Sequence, residues 1–307
     1  MLRFVAQRLV ATIPVLFGVS ILVFLVLYLM PGDPAQTLLF GTNATPEQLA
    51  ALRHQLGLDR PMVVQYVDYV GRLLTGDLGR SYVSQRDVGG EIAAQFGSTV
   101  RLAAAGMAVA LLIGLPTGVL AALRRGSWLD YVSSGVSVLG VAIPNFWLAV
   151  LLTLIFSVKL NWLPVLGQGS LKGIILPAIA LGWGFAAIIT RLVRTSMIEV
   201  LQQSYVTTAR AKGLTNWVVV IRHALKNALI PVVTLVGLQV ANLLSGAVVV
   251  ESIFARQGIG ALAVRGILAK DIPLVQGVTI FVAVIYVIVN LLVDLGYALL
   301  DPRIRHG

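Results

Sequence analysis

Cysteine is absent from this chain of 307 residues. That excludes a disulfide framework, a thiolate nucleophile and a Cys-ligated metal site, and it decides nothing about redox compartment. Charge is scarce as well: Asp, Glu, Lys and Arg make up 12% of the residues, with 13 acids against 23 bases. No Gly-x-x-x-x-Gly-Lys-Ser/Thr run occurs, so the chain has no P-loop for ATP. His-Glu-x-x-His and Gly-x-Ser-x-Gly are missing too, and His54, His223 and His306 stand far apart in polar segments, so no metal is expected on them. The net charge of +10 is not interleaved with aromatics in any basic stripe, and nucleic acid is not expected as a partner.

What the chain has in excess is apolar length. It is 58% hydrophobic with a mean hydropathy of +0.90, more than a soluble domain of this size buries. The class that fits is an all-α polytopic membrane protein. Leu9 to Met30 is longer than a signal-peptide core and ends in Pro31-Gly32-Asp33-Pro34, so it reads as an uncleaved first span. Further spans are expected at Thr99–Leu123, Tyr131–Val158, Ile174 to about Thr195, Pro231–Val250 and Pro273–Leu300. Pro116 and Pro144 lie inside spans and are expected to kink them.

Six spans place both termini on one side. On the side of the termini fall Arg3, Arg8, Arg124, Arg125, Arg191, Arg194, Arg210, Lys212, Arg222, Lys226, Arg303 and Arg305, against Lys159, Lys172, Arg256, Arg265 and Lys270 opposite. The positive-inside bias puts both termini in the cytoplasm. Residues 31–98 then form an extracytoplasmic segment that is not a disordered linker. Thr45 reads as an N-cap, with Pro46 at the first helical position, Gln48 completing a capping box and Gly57 as the stop. Pro61–Leu74 sets Val63, Tyr66, Val67, Val70, Leu73 and Leu74 on one stripe of a second helix. Asp59, Asp68, Asp77 and Asp87 read as a solvated face. Such a segment fits a contact surface for a soluble binding protein, and equally a cap packed on its own membrane part.

The longest stretch that must sit in cytoplasmic water is residues 196–230. Its first part reads as a short helix stopped by Gly213, with Arg210 and Lys212 in the last turn, where cations suit the helix dipole. The run Tyr205-Val206-Thr207-Thr208-Ala209-Arg210-Ala211-Lys212-Gly213 resembles the docking loop of ABC-importer permeases, in the form typical of the peptide and nickel branch. Ala209 and Gly213 match its Glu-Ala-Ala-x-x-x-Gly core, whereas Thr207 and Thr208 replace the Glu and first Ala; the family's downstream Asn and Pro fall on Asn227 and Pro231. The likeness extends over Pro31–Pro34, Leu163–Gly167, Glu251–Gly260 and Asn290–Arg303. The resemblance implies a type I ABC-importer permease fold in three parts: residues 1–30, the segment 31–98, and a five-helix core 99–307 with its coupling loop. It further implies a second permease subunit, usually in a heterodimer, two ATPase subunits that hold ATP and Mg, and an extracytoplasmic solute-binding protein, in a bacterial or archaeal cytoplasmic membrane. This chain itself would bind no cofactor and catalyse nothing. The cargo it implies is peptide, with glutathione or a nickel chelate as alternatives.

Two intramembrane features stand beside this reading. Gln239, Asn242 and Ser245, with Gly246, share one helical face, which fits a polar translocation pathway or interhelical packing. Asp294 lies on a face with Tyr286, Asn290 and Tyr297. A clamp to a cytoplasmic Arg is the favoured role over proton coupling, although Asp294 is also the one argument for an ion-driven secondary transporter.

Overall fold

The computed structural model describes residues 2–28, 33–39, 45–165 and 170–300, which form two compact units: Met1–Gly97 with Gln257–Gly307, and Ser98–Arg256. Every regular element among the described residues is a helix. Three helices are long and apolar enough to cross a membrane: Val88–Leu123, Leu171–Leu201 and Ile272–Val293. Two bent pairs bring the number to five if each pair is one span, and the first helix contributes a shorter apolar stretch, Val10–Leu25. Pro31 and Gly32 of the expected stop, and the C-terminal residues 301–307 with Arg303 and Arg305, lie outside the described residues.

In the first unit the helix Pro46–Gln55 begins as its sequence dictates. Thr45 Oγ1 accepts from the Gln48 N–H at 3.3 Å, and Gln48 Oε1 accepts from the Thr45 N–H at 3.0 Å. Gly57 follows the helix with φ of 68°, a left-handed conformation that costs glycine little. Met62–Leu74 departs from expectation. Of the expected stripe Tyr66, Val70 and Leu73 are half-buried, but Val63, Val67 and Leu74 are exposed and the buried residue is Tyr69. The aromatic rings decide the orientation: Tyr66 packs edge-on to Phe24 at 5.3 Å, Tyr69 stacks on Phe24 at 6.1 Å, and the Tyr66 and Ser20 hydroxyls meet at 3.0 Å. Burying large rings outweighs burying valines.

The spaced acids are not simply solvated. Asp59 pairs with His54 at 2.6 Å, Asp68 with Arg60 at 3.0 Å, and Asp77 and Asp87 accept backbone N–H bonds from Gly79 and Gly90. The hydrogen bond from His54 holds the Asp59 carboxyl below the ordinary carboxylate range. Behind them, Val88, Ile92, Ile259, Leu262, Leu274 and Val278 form a buried apolar core.

Asp271 ties the irregular stretch 77–87 to this unit. It is buried, and its carboxylate accepts from the Ser81 hydroxyl at 2.5 Å and the Tyr82 N–H at 3.0 Å. Asp271→Ala strands buried donors and is expected to cost on the order of 1–3 kcal/mol or more. Hydrogen exchange should become fast across 80–88, and Asp271→Asn, which keeps an acceptor, should recover part of the protection. Unchanged protection in Asp271→Ala would refute the tie.

The second unit is organised by close helix approach. A Cβ on Gly118 would lie 2.7 Å from the Thr190 carbonyl oxygen, and one on Gly114 would lie 2.8 Å from Ile189. Glycine at these positions lets Val88–Leu123 and Leu171–Leu201 press backbone to backbone. Around this seam sit Leu102, Leu176, Leu181, Leu243 and Phe254 in one core, and Ile189, Val193, Met197, Val220 and Val232 in another. The span expected over 131–158 is broken rather than kinked: Trp128–Ala142 and Asn145–Lys159 meet at 104°. Ile143, before Pro144, is extended (φ −78°, ψ 120°), the conformation that a following proline imposes. By contrast Pro116 and Pro177 sit inside unbroken helices.

Candidate functional site

The helix Leu171–Leu201 continues past the expected span end at Thr195, and after a short turn the helix Ser204–Ala211 begins. Lys212 donates to the Thr208 carbonyl at 3.0 Å and Gly213 to that of Arg210 at 2.9 Å. Gly213 then turns the chain with φ of 79°, which is the C-terminal glycine stop expected from the sequence. A Cβ at Gly213 would meet nothing within 4 Å, so backbone conformation alone restricts this position.

The short helix has two faces. Val206 and Ala209, three residues apart, are buried against Val219, with Val200 and Leu201 beside them. Ala209, a matched position of the docking motif, thus faces the chain's own interior. Tyr205, Thr207, Thr208, Arg210, Ala211 and Lys212 are exposed, and Arg210 and Lys212 form no ion pair among the described residues. The helix is pinned at one end by Asn227, whose Nδ2 donates to Tyr205 Oη at 2.7 Å. That bond joins the first motif position to the downstream Asn across the π-helical turn Val219–Leu225. The result is a cationic ridge on an apolar base.

The end of the helix Leu171–Leu201, from which the ridge hangs, is tied to the helix Trp128–Ala142 by an ion pair that sequence reasoning missed. Arg194 donates to both carboxylate oxygens of Asp130, at 2.5 and 2.8 Å, and Gly126 N–H donates to the same carboxylate at 3.0 Å. Asp130 is buried and Arg194 partly so. The only available sequence signal was an acid in the first turn of a helix opposite a cationic span end. The clamp was expected at Asp294 instead; Asp294 lies on the helix Ile272–Leu300, but its side chain is outside the described residues.

The proposed pathway residues divide. Gln239 is buried, and Asn242 and Ser245 are exposed. Asn242 Nδ2 donates to Gln239 Oε1 at 2.6 Å, and the Ser245 hydroxyl bonds back to the Ala241 carbonyl. At the other end of that helix Glu251 is fully buried and accepts from the Thr99 hydroxyl at 2.6 Å. Among the described residues no group of His, Asp or Glu is arranged to hold a metal.

Comparison with known proteins shows the family. Residues 114–306 match the family described as binding-protein-dependent transport system inner membrane component, and residues 1–103 match its N-terminal companion family. The chain is 42% identical over 306 residues, covering all of both chains, to the glutathione transport system permease protein GsiC of Escherichia coli (strain K12). It is 41% identical over 334 residues, again covering both chains in full, to the dipeptide transport system permease protein DppB of Alkalihalophilus pseudofirmus. The chain is therefore a multi-pass inner-membrane permease of the binding-protein-dependent transport family.

Proposed function

We propose that this chain is one of two permease subunits, in a heterodimer, of an importer for short peptides. Two ATPase subunits bind ATP and Mg on the cytoplasmic side, and an extracytoplasmic binding protein delivers the solute. Both termini and the loop 196–230 face the cytoplasm, and residues 31–98 face outward. The ATPases grip the ridge Tyr205–Gly213, and its movement switches the spans between outward and inward access. Asn242 and Ser245 line the solute path, with Gln239 behind them. Both glutathione and dipeptides, the cargoes in the relatives' names, are peptidic, which supports peptide over a nickel chelate.

The observation that carries the reading is the two-faced helix: Val206 and Ala209 fix it to its own chain while Arg210 and Lys212 stand open. Such an element transmits force only if something seizes its outer face. Gly213→Val forces a β-branched residue into a left-handed backbone, costing on the order of 1–3 kcal/mol. Arg210→Glu with Lys212→Glu reverses the ridge's charge without entering the core. Each variant should still insert and pair with its partner permease. Each should also lose ATPase co-purification, or hydrolyse ATP without uptake. If both variants keep parental ATPase association and ATP-driven uptake, the ridge is not the coupling element.

A further inference from the structure

The first unit holds an open cleft of about 1110 Å³, ample for a short peptide, since small-molecule pockets run to roughly 300–1,000 Å³. Tyr69, Arg72, Tyr82 and Gln276 line it. Most charges around it are already matched: Arg53 lies 2.5 Å from Asp33 and Arg60 lies 3.0 Å from Asp68. Arg72 is the exception: its residue is exposed, and its guanidinium makes no hydrogen bond or ion pair among the described residues. The Tyr69 hydroxyl is also unsatisfied: the residue is 5% exposed and its oxygen has no hydrogen-bond partner. A buried hydroxyl without a partner is costly and calls for an explanation. Burial pushes the Tyr69 hydroxyl above its ordinary range, so it stays a donor.

Tyr69 and Arg72 are three residues apart on the helix Met62–Leu74, hence neighbours on one face. A guanidinium at the open side of the cleft and a buried phenolic O–H within its electrostatic reach, neither with a protein acceptor, are together complementary to a carboxylate. Phe24 and Tyr28 supply apolar wall beside them, and the buried Gln276 offers an amide. We infer that this cavity receives the free carboxylate of a short peptide, at Arg72 and Tyr69, as a site on the permease itself. The inference rests on the importer reading above, which places this segment outside the cytoplasm.

The test uses the complete complex of both permeases and both ATPases in phosphatidylcholine nanodiscs, without ATP or binding protein. Trialanine and trialanine amide are titrated by calorimetry. Trialanine should bind saturably, and the amide about tenfold more weakly, the loss expected for one charge-assisted hydrogen bond. Arg72→Gln should weaken trialanine about tenfold and leave the amide unaffected, and Tyr69→Phe should weaken trialanine by a smaller factor. The inference is overturned by absent trialanine binding, by equal binding of acid and amide, or by a parental affinity in Arg72→Gln. It is equally overturned if phosphatidylglycerol in the discs abolishes peptide binding, because a lipid phosphate then occupies the site. ATP-driven uptake, measured on the same complex with its binding protein, separates the two ideas. Uptake without cavity binding sinks this inference alone, whereas a parent complex without uptake sinks the importer reading.

Discussion

Replacing Gly182 by alanine is expected to leave almost no folded protein. The added Cβ would stand 2.3 Å from the carbonyl oxygen of Gly106 and 3.1 Å from its carbonyl carbon. Those are backbone atoms of a helix, and no rotamer change can move them aside. One helix must back away along its whole length, opening the seam that Gly114 and Gly118 hold closed. Overpacking ordinarily costs about 1–3 kcal/mol, and a clash with backbone belongs at or above the top of that range. Gly135→Ala is the control, because a Cβ there meets nothing within 4 Å. The measurement is the yield of monodisperse protein in detergent and its thermal midpoint. Parental yield and midpoint for Gly182→Ala would show that the two helices are not packed as described.

Arg194→Met is expected to be the next most damaging change. It leaves the buried Asp130 carboxylate with only the Gly126 N–H at 3.0 Å. Removing one partner of a buried ion pair costs about 3–5 kcal/mol, and the partial exposure of Arg194 discounts this toward the lower figure. Asp130→Asn should be milder, since no buried charge is stranded. The double variant Asp130→Asn with Arg194→Met should recover part of the loss, as a shared interaction requires. The clamp also fixes the helix end from which the ridge hangs, so ATP-driven uptake should fall more than stability alone accounts for. If Arg194→Met and Asp130→Asn are equally mild, the pair is not a buried clamp.

What the sequence disclosed and what it hid follow from distance along the chain. The Thr45 cap, the Gly57 stop and the Gly213 stop were legible because each depends on residues within a turn or two. The existence of a helix before Gly213 was legible for the same reason. Its orientation was not, because Ala209 is turned inward by Val219, which lies in the next helical stretch. Asp130 and Arg194 are 64 residues apart, and no local pattern announces their meeting. Pro144 announced a disturbance, but the 104° angle depends on what each half packs against. On Met62–Leu74 the expected stripe holds at Tyr66, Val70 and Leu73 and fails at Val63, Val67 and Leu74, because the packing of Tyr66 and Tyr69 on Phe24 sets the inward face.

The Asp130–Arg194 pair has a mechanical consequence. On the helix Leu171–Leu201, Arg194 lies about 10 Å from the end that carries the ridge and about 35 Å from the opposite end, at 1.5 Å per residue. Moving together with the helix Val88–Leu123 on which it is pressed, this rod, pinned off-centre, is a lever with unequal arms. If the pair acts as the fulcrum, a pull of 1 Å on the short arm appears as a swing of roughly 3 Å at the far end, and the force available there falls in the same ratio. Spin labels near Leu171 should therefore travel farther between nucleotide states than labels near Leu201, and Arg194→Met should abolish that disproportion.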